Sequence, residues 1–537
     1  LITSNNNTIR GLIIGGFGGG GYAGVHINAA VSGNTIVGNY LGTNYAGTAS
    51  NGNRHGVYLQ GGAFGNTVGG STAADRNIIS GNVWRGVRIS GVNTQSNIVK
   101  GNYIGTTADG LSPLPNVNEG INLNGPTISN IIGGTNAGEG NLISGNGAEG
   151  ILIAGMNTTP NGNNVIKGNY IGTNANGTAG IPNVYGIRID TDGQNNTIGG
   201  TASGEGNVIA FNTNAGIFVT DAASDGNKIS GNSIFSNGNL GIDIGAAGVG
   251  PGANGANNDK AAPTIGSITP SGGNFAIVAT VGSGDTLEFF RVNNGSSPAV
   301  ILDPTGFGEG YLFLGSCVDN GACSGPHVSA VADANPAAGT VQATLLTSGV
   351  NGGDFVSATA TDASNNTSEF SANSQVPLSL VKQVWQVGGS SPLATSNGAP
   401  SSVTVPAGDT VVFLIYVKNS GSSAATDLRF LDLLDVSASG FDYVAESLVR
   451  DDGSLSDAAT DLQIFNATAP GTGTALNDAV NGDIASVCDS GAGVCPGTTL
   501  NRVTVGNTTG LTPAQANGTL SIAANKTFAI RFRAVKK

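Results

Sequence analysis

From Gly24 to Ile244 one short pattern recurs: a glycine, an apolar residue, a variable residue, then a second apolar residue. Gly24-Val25-His26-Ile27, Gly56-Val57-Tyr58-Leu59, Gly86-Val87-Arg88-Ile89 and Gly120-Ile121-Asn122-Leu123 have further copies beginning at Gly150, Gly186, Gly216 and Gly241, with spacings of 25 to 36 residues. Other series interleave with it. Asn34, Asn97, Asn164 and Asn227 open segments such as Asn34-Thr35-Ile36-Val37-Gly38, Asn66, Asn130 and Asn196 each precede a Gly-Gly pair, and Asn77, Asn141 and Asn207 form a fourth series. Apolar residues alternate along these runs as in strands, and the Gly-Asn and Gly-Gly corners accept left-handed backbone. Each repeat therefore holds about three strands, too short to stand alone, whose apolar faces are buried only by stacking on neighbouring repeats.

This pattern predicts a parallel β-helix over residues 1–246, right-handed as parallel crossovers generally are. Some eight turns would give a rod on the order of 40 Å long at ~4.8 Å per turn. The recurring asparagines are expected to form structural ladders, because stacked carboxamides bond to the copies above and below and asparagine tolerates positive φ.

After Ile244 the rhythm stops. Residues 247–262, with Gly250-Pro251-Gly252 and Asn257-Asn258-Asp259, read as a linker. Residues 263–376 contain Phe275 to Ala279, Leu287 to Phe290 and Phe355 to Thr361, short alternating runs that predict a β-sandwich. Residues 377–537, with Thr410 to Lys418, Leu428 to Leu434 and Thr527 to Val535, predict a second. The expected fold is all-β: a right-handed parallel β-helix followed by two immunoglobulin-like β-sandwich domains.

Composition narrows the picture. With 88 glycines and 19 prolines in 537 residues, long helices are disfavoured, while 39% hydrophobic and 10% charged residues describe a folded chain and not a solvated disordered one. The net charge of −13 with scattered Lys and Arg offers no footprint for nucleic acid. No apolar run reaches the ~18 residues of a membrane span. Cys317 with Cys323 and Cys488 with Cys495 are close pairs without nearby histidine, so local disulfides and an oxidising compartment are expected.

Asn-Thr-Ile-Arg-Gly-Leu-Ile-Ile-Gly-Gly-Phe from Asn7, Gly-Asn-Tyr-Ile-Gly-Thr from Gly101 and Gly168, and Gly-Glu-Gly-Asn-Val-Ile from Gly204 resemble the repeats of exported bacterial right-handed β-helix surface proteins. The segment Gly308 to Gly315, with Ala358 to Asp362 and Asn366 to Ser371, is similar to the immunoglobulin-like module that commonly follows such helices. Gly408 to Gly421 resembles a conserved domain of unknown function in bacterial cell-surface proteins. The resemblance implies export, a secreted or cell-surface location and further coils ahead of Leu1. It implies no reaction.

The helix region carries only 11 acidic and 9 basic residues, whereas a glycosidase needs two carboxylates facing one sugar ring. Most of the acids read as isolated in variable loops, Glu139 and Glu205 at corresponding corners among them. The one dense group is Arg188-Ile189-Asp190-Thr191-Asp192. Asp190 and Asp192 are residue types that bind Ca2+, but Gln60 and Asn124 at matching positions build no acidic ladder beside them. A solvated strand end is the adopted reading, and no cofactor or metal is expected. His26 reads as an outward strand residue, His55 as a loop residue and His327 as distant from both. No convergent catalytic set emerges, so the chain is expected not to be an enzyme.

Tyr40, Tyr103 and Tyr170 recur at one place in three successive units and are expected to share a face, ~9.6 Å apart at two turns, as a possible contact surface for sugars or a neighbouring molecule. Ile9, Leu12 and Ile14 lie in the first apolar strand segment, a candidate assembly edge for head-to-tail self-association. The expected function is a non-catalytic extracellular structural protein: a filament, surface-layer or stalk subunit, or an adhesin segment. The alternative is a β-helix protein that binds or cleaves polysaccharide, with cell-surface glycans as partners.

Overall fold

The computed structural model describes residues 1–19, 23–155, 161–245, 248, 250, 255–271, 274–292, 307–329, 331–350, 352–387, 389–395 and 404–419. Beyond these it describes 425–428, 430–434, 441–443, 449–450, 455–456, 461–469, 474–475, 485–488, 501–505, 520–523 and 526–536.

The repeats coil into a parallel β-helix with three walls, each a sheet of eight strands. One wall runs from Thr8–Arg10 through Thr35–Val37 to Lys228–Ser230, a second from Ile13–Ile14 through Tyr40–Leu41 to Ser233–Phe235, and a third from Ala23–Asn28 through His55–Gln60 to Ile242–Ile244. Eight strands make seven coil-to-coil steps, a rise on the order of 34 Å at ~4.8 Å each. That is slightly less than the eight-turn rod read from the repeats, because the first and last copies bound the stack.

Every wall pairs in register, and this places like residues on like. Val57, Val87, Ile121, Ile151 and Ile187 form one inward column, and Leu59, Ile89, Leu123, Ile153 and Ile189 another. All are fully buried in a single continuous core.

An asparagine ladder lines each of the three corners. In the first, each Nδ2 donates to the Oδ1 one coil on, through Asn7, Asn34, Asn66, Asn97, Asn130, Asn164, Asn196 and Asn227, at 2.8 to 3.1 Å. The second joins Asn39, Asn77, Asn102, Asn141, Asn169, Asn207 and Asn232. The third joins Asn53, Asn82, Asn116, Asn146, Asn183, Asn212 and Asn237. The ladder reading therefore holds with two corrections. The Asn34 and Asn66 series are alternate rungs of one ladder, and the ladder from Asn53 went unread. Alternate coils differ in their flanking residues, which made one column look like two.

The β-helix ends against an antiparallel unit. Thr264–Ser271, Asn274–Thr280 and Thr340–Leu345 form one sheet; Cys323–Ser324, Leu312–Val318, Thr286–Arg291, Phe355–Thr361 and Ser374–Gln375 form another, and the two share a core. Cys317 and Cys323 are disulfide-bonded. Cys495 lies outside the described residues, as does the side chain of Cys488, so that expected pair is not described.

In the last region Thr410–Asn419 pairs with Ser379–Gln386 on one side and Lys526–Lys536 on the other, inside a larger antiparallel sheet. A two-turn helix, Asp461–Ala467, lays Phe465 on Trp385 with ring centroids 4.2 Å apart. The run read as Leu428 to Leu434 is divided between Ala425–Leu428 and Phe430–Leu434, in different sheets. No helix among the described residues is long and apolar enough to cross a membrane.

Candidate functional site

The core of the β-helix is closed by two sandwich side chains, Phe290 and Phe370, whose rings meet edge to face at 5.3 Å and belong to the helix core. Gly310 pairs with Ile234 beneath them, where a Cβ would lie 2.8 Å from both rings.

Three carboxylates cap the last coil. Glu309 accepts the N–H groups of Ser236 and Asn237 at 2.6 and 2.9 Å, Glu369 those of Ile244 and Gly250 at 3.1 and 2.8 Å, and Glu288 that of Gly231 at 2.8 Å together with the Ser230 hydroxyl. At the remaining corner Asn257 Oδ1 accepts Asn227 N–H at 2.9 Å, while its Nδ2 donates to Thr367 O at 2.8 Å. Asn257, within the segment read as a linker, is thus a buried final rung. Burial, reinforced by the Glu369 carboxylate, raises Asp243 to about 7.

The tyrosines do share one column. Tyr40, Tyr103 and Tyr170 alternate with Ile78 and Leu142 in register, two coils apart. Tyr103 and Tyr170 line an open groove of about 420 Å³, with Arg76 4.0 Å above the Tyr103 ring. Each tyrosine leans on a loop glycine; a Cβ on Gly110 would stand 2.7 Å from Tyr103. Packing against these loops uses much of each ring, and Tyr170, 39% exposed, is the most open.

Leu12 is exposed, and Ile9 and Ile14 are partly buried on the first coil. Asp190 is engaged: it pairs with Arg188 at 2.7 Å and accepts the hydroxyls of Thr191 and Thr220. Asp192 sits in the following turn with φ 61°. Among the described residues no three His, Cys, Asp or Glu side chains converge as a metal site. Glu139 and Glu205 occupy corresponding corners, where they pair with Lys100 and Lys167 at 2.8 and 3.5 Å.

The densest polar arrangement lies elsewhere, on the third wall. Its outward column reads His26, Tyr58, Arg88, Asn122, Leu152, Arg188, Phe218 and Asp243. His26 and Tyr58 stack with centroids 4.9 Å apart, and Arg88 lies 5.0 Å from the Tyr58 centroid. Beside this column the Trp84 ring is contacted by Arg54 at 4.4 Å, Arg85 at 4.0 Å and His55 at 5.3 Å. Arg85 Nε pairs with Glu119 at 2.7 Å, and Arg188 Nη1 with Glu149 at 3.4 Å.

This face corrects two expectations. His55 opens the strand His55–Gln60 and is only 1% exposed, so it is no loop residue. Burial and the adjacent Arg88, Arg85 and Arg54 lower it to about 3, which keeps the ring neutral at pH 7. Glu119 and Glu149 are not isolated. Each immediately precedes the repeat glycine, so they stand on successive coils, 30 residues apart in sequence and one strand spacing apart in space. The signal was present in the register of the glycine pattern, which a reading by sequence distance does not use.

No protein-family model matches this sequence, and no curated protein matches it.

Proposed function

We propose that the chain is a non-catalytic extracellular structural protein, exported to the cell surface as a stalk, surface-layer or filament subunit or as an adhesin segment. The observation that carries the reading is the closure of the β-helix: three buried amide ladders run along it and the chain's own sandwich terminates them. Such a body resists bending because every coil is tied to the next at three corners. We read the two antiparallel regions as immunoglobulin-like sandwiches that project from one end of a right-handed rod. In the filament form the exposed Leu12 and Ile13 are among the apolar side chains offered to a neighbouring molecule. Electron micrographs of the purified full chain test this: strings of rods across a concentration series support the filament form. Dispersed monomers under all conditions remove it and leave a monomeric surface module.

A second reading, a polysaccharide-active surface, is favoured by the arginine and aromatic face of the third wall. Glu119 and Glu149 supply the two neighbouring carboxylates that glycosidase chemistry uses, yet each is held by a guanidinium, an arrangement suited to binding more than to proton transfer. Incubation with acidic polysaccharides, followed for new reducing or unsaturated ends, separates the cases. Intact polymer supports binding without cleavage.

A further inference from the structure

We propose that the third wall of the β-helix, at its second to fourth coils, is a binding site for an acidic polysaccharide whose carboxylates are held by Arg54 and Arg88. This rests on the second reading above and names its ligand class and residues.

Arg54, Arg85 and Arg88 gather around the Trp84 ring, and among the described residues only Arg85 of the three is ion-paired, to Glu119, on a chain whose net charge is −13. Among the described residues, Arg54 and Arg88 have no carboxylate within ion-pair distance; they stand on Trp84 and Tyr58 instead. A guanidinium stacked on a ring keeps its in-plane donors free, in the fork that matches a carboxylate.

Setting aside Arg85 Nε and Glu119 Oε2, which pair with each other, four of the buried side-chain polar atoms without a partner among the described residues lie here: His55 Nδ1, Arg85 Nη1, Arg88 Nε and Asn122 Oδ1. Buried polar groups are ordinarily partnered, and local concentrations of exceptions call for a cause. His55 and Asn122 are each more than nine-tenths buried.

Shape selects a linear polymer. The column His26, Tyr58, Arg88, Asn122 climbs the axis by ~4.8 Å per coil, flanked by Gln60, Ser90 and Asn124, two residues on in each later strand. An extended chain of uronate sugars laid along the axis meets guanidinium donors and then amides and hydroxyls in turn. A phosphate polymer is disfavoured, because its affinity grows with the number of cations neutralising it and the neighbouring coils present Glu119, Glu149 and Asp190.

The test titrates the full chain with polygalacturonate, a neutral polysaccharide of similar length and free galacturonate, at about 50 and about 200 mM salt. Polygalacturonate is expected to bind and to weaken with salt, with neutral polymer at least about tenfold weaker and the monomer effective only at far higher concentration. Arg54→Gln combined with Arg88→Gln is expected to raise Kd at least about tenfold, a loss typical of charge-assisted bidentate bonds. Arg10→Gln, on another wall and half exposed, is expected to change it less than about twofold. Thermal melting verifies each variant's fold, and Arg54→Gln alone carries the comparison if Arg88→Gln does not fold.

Equal binding of neutral and acidic polymer would overturn this inference and leave the broader glycan reading standing. No binding of either would overturn both. Equal loss in Arg10→Gln would reduce the effect to general electrostatics, and monomer binding as tightly as polymer would reduce the site to one for small anions. Altered sedimentation of the arginine variants without polysaccharide binding would make the face a protein contact, which also overturns the proposal.

Discussion

The Glu309 carboxylate accepts the backbone N–H of Asn237 at 2.9 Å, the place that the next asparagine's amide oxygen fills for Asn53, Asn82, Asn146, Asn183 and Asn212 of that ladder. The sandwich thus ends the ladder with the same kind of acceptor. Glu309→Ala leaves the N–H groups of Ser236 and Asn237 without this partner. A loss of about 3 kcal/mol follows from two charge-assisted bonds, to be read from chemical denaturation. Unchanged stability would mean that the junction is held by its other contacts, Phe290, Phe370, Glu288, Glu369 and Asn257, without Glu309.

Mid-ladder rungs should be as sensitive. Asn130 accepts from Asn97 N and Nδ2 and donates to Asn164 Oδ1. Asn130→Ala strands buried donors on one side and an acceptor on the other, and about 3 kcal/mol should be lost. Asn130→Asp sets oxygen against Asn164 Oδ1 and should be at least as damaging at neutral pH, with partial recovery in acid as the carboxyl regains a proton to donate. Melting curves of both variants at two pH values check this.

The junction also has a pH signature. Burial and Glu369 raise Asp243 to about 7, and burial likewise raises Glu288 and Glu369. A carboxyl whose folded pKa exceeds its unfolded one binds more protons when folded, so stability falls as pH rises between the two values. For Asp243 that window runs from its ordinary 3.8 to about 7. The melting temperature of the β-helix should therefore fall from pH 5 toward pH 8, and Asp243→Asn should flatten the slope. A slope unaffected by Asp243→Asn would place the titration elsewhere.

The Cys317–Cys323 disulfide closes a loop with a sequence separation of 6. Restriction of the unfolded chain by so small a loop is worth about 2 kcal/mol. Replacing both cysteines with alanine should lower sandwich stability by that amount and leave the β-helix repeats folded, as judged by domain-resolved hydrogen exchange.

Much of the fold was legible because the β-helix is a repeat. Val25, Val57 and Val87 announce one inward column, and Phe355 to Thr361 falls on a strand with those bounds. Asn257 was hidden by its Gly- and Asn-rich surroundings, which read as a linker until the coil beneath gave it a partner. The third-wall cluster was hidden for a different reason. His26, Arg54, Tyr58, Trp84, Arg88 and Glu119 span about ninety residues of sequence, and only coil-by-coil register brings them together. The capping glutamates Glu288, Glu309 and Glu369 act across the junction, which no local pattern encodes. The helix at Asp461–Ala467 was missed because it is seven residues long in a β-rich region.

Native-state hydrogen exchange tests most directly whether β-helix and first sandwich form one closed rod. The account predicts that amides of Gly231, Ser236, Asn237 and Ile244 exchange as slowly as the mid-helix rungs and together with strand Thr286–Arg291, and that Glu309→Ala accelerates them as a group. Rapid exchange of residues 226–245 in the wild-type chain, with residues 97–170 still protected, would contradict it.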